Sequence, residues 1–187
     1  MSFSNQLLGE VHELARQSLL ASFGRAVEPD EPKALEAPGC CFVTLTKHGA
    51  LRGCIGSLEP HRSLARDVIE NSRSAAFSDP RFPVLGESEL GDLEIEVSIL
   101  GPHREIRIAS EQELLEALEP GIDGLVLVFE GRRATFLPSV WEQLAEPVDF
   151  LQALKRKAGL PEQFWSEDMR WYRYGVQRVG GWLIARG

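Results

Sequence analysis

The sequence predicts an α+β fold, a mainly antiparallel sheet with flanking helices, on three observations. The stretch DLEIEVSIL alternates without a break, Leu93, Ile95, Val97 and Ile99 against Glu94, Glu96 and Ser98. That is a strand with one wet face, which antiparallel sheets allow. Two apolar segments each turn about a glycine, Gly49 and Gly131, as hairpins do. Residues 42–77 and 125–158 share an order of strand, glycine turn, strand, proline and helix with little sequence similarity. This predicts two similar strand-hairpin-helix units forming two lobes, roughly 1–110 and 111–187, within a single 187-residue domain.

Each element has its own signal. Over 4–23, Leu7, Leu8, Val11, Leu14, Ala15, Ser18 and Leu19 fall on one side of a helix. EPDEPKALEAPG, with three prolines, is a loop, and CFVTLTKHGALRGCIG is a hairpin turning at 47–49. Residues 62–77 form a helix with a stripe of Leu64, Ala65, Val68, Ile69, Ser72, Ala75 and Ala76, Asn71 at its edge, ended by Pro80 and Pro83. HREIRIA is a short strand. Ser110 and Glu113 have capping-box spacing before a short helix. LVLVFEGRRATFLP is the second hairpin, followed by a short helix from Ser139 and a longer one near 148–158, whose Lys155, Arg156 and Lys157 complement the helix dipole ahead of Gly159. RWYRYGVQR and GWLIA supply one or two strands.

Bulk properties narrow the function classes. The formal net charge is −8, opposite to that of general nucleic-acid binders. No apolar run approaches the roughly 20 residues of a membrane span, and the N-terminus lacks the features of a signal peptide. The three cysteines, two of them the adjacent Cys40 and Cys41, point to a reducing compartment, and the expected location is cytoplasmic. With no CxxC pair and four scattered histidines, no metal site is expected. No glycine-rich phosphate loop, HExxH or GxSxG occurs, so no cofactor is expected.

The candidate chemistry lies in LRGCIG (51–56). On a regular strand Arg52 and Cys54 share a face, their α-carbons roughly 6.5 Å apart, where the cation favours thiolate or holds an anion. Gly53 and Gly56 would leave room for a ligand against the backbone. The plainer reading makes Cys54 a small packed hydrophobe and the glycines a bulged corner. Further candidates have similar alternatives: Arg81, aimed between two prolines or merely ending a helix; Asn71, binding a ligand or a loop backbone; Asp123, a site residue or a turn; Thr135, a site residue or strand packing. Glu94 and Glu96 read as a solvated strand face, and Cys40 and Cys41 as packing.

FVTLTKHGALRGCIGSLEP, SAAFSDPRFPVL, LEIEVSIL, GIDGLVLVFEGRRATFLPSVWEQL and FLQALKRKAGL together resemble the AMMECR domain family, protein A of the AmmeMemoRadiSam system, from about Leu7 onward. The resemblance implies an AMMECR-like two-lobed α+β fold and an association with Memo-like and radical SAM proteins. It brings no reaction and no cofactor. Its signature falls on Arg52, Gly53, Cys54, Ile55 and Gly56, and its other motifs on Asn71, Asp79, Arg81, Phe82, Asp123, Gly124, Thr135 and Pro138.

Two functions compete. One is a ligand-binding or accessory component working with radical SAM and Memo-like partners, or with a small-molecule or peptide ligand, through the Arg52-Gly53-Cys54 corner. The other is an enzyme with Cys54 as nucleophile and Arg52 as its activating or anion-binding group, His48 and His61 being the nearest bases in sequence. Nucleic-acid recognition has only Arg52, Arg81, Arg132 and Arg133 to offer.

Overall fold

The computed structural model describes residues 3–184. In chain order its elements are α1 (Asn5–Ala21), β1 (Cys41–Lys47), β2 (Ala50–Gly56), α2 (Leu64–Phe77), β3 (Leu93–Leu100), β4 (Arg104–Ile106), α3 (Glu111–Ala117), β5 (Gly124–Phe129), β6 (Arg132–Phe136), α4 (Pro147–Lys157), β7 (Arg170–Tyr174) and β8 (Val176–Trp182). Short 3-10 turns lie at Lys33–Leu35, Glu87–Asp92 and Pro138–Glu142. The chain forms two compact units: everything through Leu100 together with the segment from Gln177, and Gly101–Val176.

The first unit is built on a four-stranded sheet in the order β2-β1-β3-β8. Alternation puts Cys41, Val43 and Leu45 of β1 opposite Ile99, Val97 and Ile95 of β3, all buried on one face. The apolar stripes of α1 and α2 complete that core. Ser4 and Ser63 cap the two helices through their hydroxyls. The hairpin loop has positive φ at both of its residues, 51° at His48 and 78° at Gly49, the geometry that matches strand twist.

The second unit repeats the plan. Its sheet runs β4-β7-β5-β6, and the loop between β5 and β6 again has positive φ at both residues, 46° at Glu130 and 76° at Gly131. In each sheet the second hairpin strand lies at the edge, and the strand following the next helix lies beside the first hairpin strand. Leu125, Leu127, Phe150, Leu151, Leu154 and Trp171 form its core, with Trp141 stacked on Phe150 at 3.8 Å between ring centroids. Ser110 caps α3, while Glu113 reaches back to the Ala109 N–H at 2.8 Å.

The sequence puts both tail strands in the second lobe, but the last one returns to the first unit. β8 lies beside β3, Val179 packs on the first core, and the buried Leu183 donates its N–H to the Leu93 carbonyl at 2.9 Å. So short an apolar pattern does not name its partner strand.

Candidate functional site

The glycines of LRGCIG have structural occupants. A β-carbon on Gly53 would lie 2.1 Å from the Ala75 carbonyl oxygen, because α2 runs its backbone directly against β2. One on Gly56 would lie 2.3 Å from the Phe42 ring. The space expected for a ligand is filled by the protein itself.

Arg52 departs from the regular-strand expectation. The β1–β2 register pairs Leu45 with Gly53 and Thr46 with Leu51, so Arg52 is the extra residue of a bulge. The alternation that would set Arg52 beside Cys54 is broken there. Its guanidinium, 11% exposed, grips Glu89 with Nε at 3.0 Å and Nη2 at 2.9 Å. Lys47 Nζ donates to the same carboxylate at 3.1 Å, and so does the Gly86 N–H, also at 3.1 Å. The Arg52 hydrogen bonds hold the Glu89 carboxyl down to about 2, against its burial. This cluster ties the first hairpin to the turn preceding β3.

The cation at Cys54 is Arg81. Cys54 is half-buried, opposite Thr44, whose hydroxyl donates to Sγ at 3.4 Å. Its main-chain N–H donates to Asp79 Oδ2 at 2.8 Å, and its carbonyl accepts from Arg81 Nη2 at 3.2 Å. Asp79 also grips Arg81, Oδ1 accepting from Nε at 3.0 Å and Oδ2 from Nη2 at 2.7 Å. Arg81 holds the Asp79 carboxyl well below the carboxylate range; Asp79, and to a lesser degree the Cys54 side chain, raise Arg81. Arg81 lies 5.5 Å from the centre of the Phe82 ring and leaves its guanidinium half exposed. The two nearby histidines are elsewhere: His48 faces Asp92 at 3.7 Å, and His61 Nδ1 lies 2.9 Å from the Glu59 carbonyl.

Asn71 serves the backbone. Its Nδ2 donates to the Cys41 carbonyl at 3.1 Å and to Asp67 Oδ2 at 2.9 Å. The fully buried Asp67 gathers the Cys41 N–H at 2.8 Å, the Ser57 hydroxyl at 2.7 Å and Arg62 Nε at 2.8 Å. Burial pushes the Cys40 thiol up to about 11 and Cys41 well above its ordinary value, so both stay protonated near neutrality.

Asp123 and Thr135 lie in the second unit. Asp123 closes a turn by accepting the Glu119 N–H at 2.8 Å, and burial raises its carboxyl. The Thr135 hydroxyl meets Tyr174 Oη at 3.0 Å. The Tyr174 ring crosses Gly124, where a β-carbon would lie 2.4 Å from it.

Asp67 and Glu89 escaped the sequence reading. Asp67 stands one helical turn before Asn71, a spacing that puts both on one face; Glu89 is separated from Arg52 by 37 residues and gives no local signal. Among the described residues no group of three or more His, Cys, Asp or Glu side chains is placed to hold a metal. A shallow cavity of about 410 Å³ runs along α1 past Gly9, Glu10, Glu13, Leu14 and Asp30, and none of the residues above lines it. No described helix is long and apolar enough to cross a membrane.

The AMMECR1 family profile matches residues 12–179. The chain belongs to the AMMECR1 family. A Thermotoga maritima protein is 38% identical over 161 residues, 83% of this chain and 87% of its own. A Methanothermobacter thermautotrophicus protein is 41% identical over 140 residues, 73% of this chain and 72% of its own. The crystal structure of an uncharacterized Pyrococcus horikoshii protein superposes with a TM-score of 0.79 at 29% identity, covering 95% of this chain and 93% of that one. The two-unit α+β architecture is thus shared with a solved structure, and AMMECR1 membership spans both units.

Proposed function

We propose that this AMMECR1 protein is a ligand-binding or accessory component that works with radical SAM and Memo-like proteins through the corner around Cys54. One observation carries this reading: a half-exposed guanidinium, Arg81, is held in a fixed pose by the buried Asp79 against the Cys54 carbonyl. Fixed arginines beside apolar surface are favoured anchors for protein partners, and Leu51 and Val84, in the segments carrying this corner, are 43% and 67% exposed. Arg52 and Gly53, expected as contact residues, support the corner from within.

The test is a binding titration with purified radical SAM and Memo-like proteins from the same genome. Arg81→Glu should weaken the complex at least tenfold, about 1.4 kcal/mol, and Arg132→Glu, in the second unit, should not. Absence of any complex at about 100 μM, where binding free energy falls below roughly 5.5 kcal/mol, would contradict it.

A second reading, an enzyme with Cys54 as nucleophile, is favoured by the donors around that residue: the Thr44 hydroxyl at its sulfur and the Arg81 guanidinium at its carbonyl. In it Arg81 takes the part expected of Arg52. A covalent adduct on Cys54 with a reactive acyl ester, absent in Cys54→Ser, would support it; a nucleophile without an adjacent base forms such adducts slowly.

A further inference from the structure

We propose that Asp79 and Arg81 are an edge guard, which keeps β2 from pairing with β2 of a second copy of this chain. β2 ends the strand order of its sheet, and such a strand presents unpaired main-chain groups to any other strand. At Cys54 both groups point away from β1, since the N–H reaches Asp79 at 2.8 Å and the carbonyl reaches Arg81 at 3.2 Å. Those are the two groups that an incoming strand would use. The outgoing end of α2 delivers the guard: the Phe82 N–H bonds the Asp79 carbonyl at 3.2 Å, and the Leu85 N–H returns to the Ala76 carbonyl at 2.9 Å. Pro80 and Pro83 lie in this segment and have no N–H of their own to extend a ladder. The bulge at Arg52 adds a second known obstacle to edge pairing.

The occupant excluded is a second copy because the edge is self-complementary. An antiparallel pair centred on Cys54 sets that residue opposite itself, with donor and acceptor matched on both strands and α-carbons about 5.5 Å apart. The second unit uses a similar device: β6 ends its sheet, and the Thr135 carbonyl is covered by Lys157 Nζ from α4 at 3.0 Å. This inference goes beyond the proposed docking function: it uses the same Asp79–Arg81 pair, but concerns the main chain of β2 and a second copy, not a heterologous partner.

The experiment uses the full chain carrying Asp79→Ser and Arg81→Ser, with Asp79→Ala and Arg81→Ala as a second pair. Each is checked for cooperative melting, then treated with bismaleimidoethane, a short thiol cross-linker, and followed by sedimentation velocity and peptide mapping. Cys40 and Cys41 are buried and serve as internal controls. The expected result is a dimer joined through Cys54, its cross-linked fraction at least tenfold above that of the unmodified chain. A folded variant that stays monomeric, or a dimer without Cys54 cross-links, overturns the proposal. Loss of the fold in both pairs also overturns it, because the two side chains would then hold the unit together and not guard its edge.

Discussion

At the residue scale, LRGCIG is explained mostly by what presses on it. Gly53 admits the α2 backbone and Gly56 admits the Phe42 ring. A methyl at Gly53 would overlap a main-chain oxygen that cannot swing aside, so Gly53→Ala should cost about 2–3 kcal/mol and lower the melting temperature by roughly 5–10 °C for a chain of this size. Denaturant unfolding measures it, and an unchanged midpoint would refute the close approach. Glu89 makes a pH prediction. Its folded value, about 2, lies below the ordinary 4.5. The stabilisation it gives is therefore fully present above about pH 4.5 and lost as pH falls through about 2. Between pH 5 and pH 2 the unmodified chain should lose on the order of 1–3 kcal/mol more than Glu89→Gln. Parallel stability curves would remove Glu89 from the account.

At the scale of elements, the sequence signals and the structure agree wherever the signal is local. Periodicity located α1, α2 and β3, and positive-φ turns confirm both hairpins. What periodicity could not supply is a partner far along the chain. Strand alternation alone sets Arg52 beside Cys54, but the bulge depends on how β1 and β2 pair, and Glu89 depends on where the turn before β3 comes to rest. Arg81 was legible as an aimed side chain because prolines flank it, yet its target, the edge of β2, was not. Asn71 needed Asp67 to be understood. That buried carboxylate joins β1, the loop after β2 and α2. Asp67→Ala strands several buried donors at once and should cost about 3–5 kcal/mol, read as the loss of urea midpoint; a cost below about 1 kcal/mol would show the network to be incidental.

At the scale of the whole molecule, two units of one plan divide the candidate residues. Arg52, Cys54, Asn71 and Arg81 belong to the first, Asp123 and Thr135 to the second. Within the first, the buried Asp67 cluster and the Arg52–Glu89 cluster lie inside the architecture, and the Cys54–Arg81 pair offers groups to solvent. The proposed function needs that pair to meet another protein. Its most direct test is the rate of Cys54 alkylation by iodoacetamide, mapped by mass spectrometry, with and without saturating radical SAM and Memo-like proteins. Docking at the corner predicts at least a tenfold slower reaction at Cys54 in the complex, with an unrelated protein giving no protection. Alkylation at an undiminished rate in a complex that demonstrably forms would contradict it, and would move the docking surface away from Cys54.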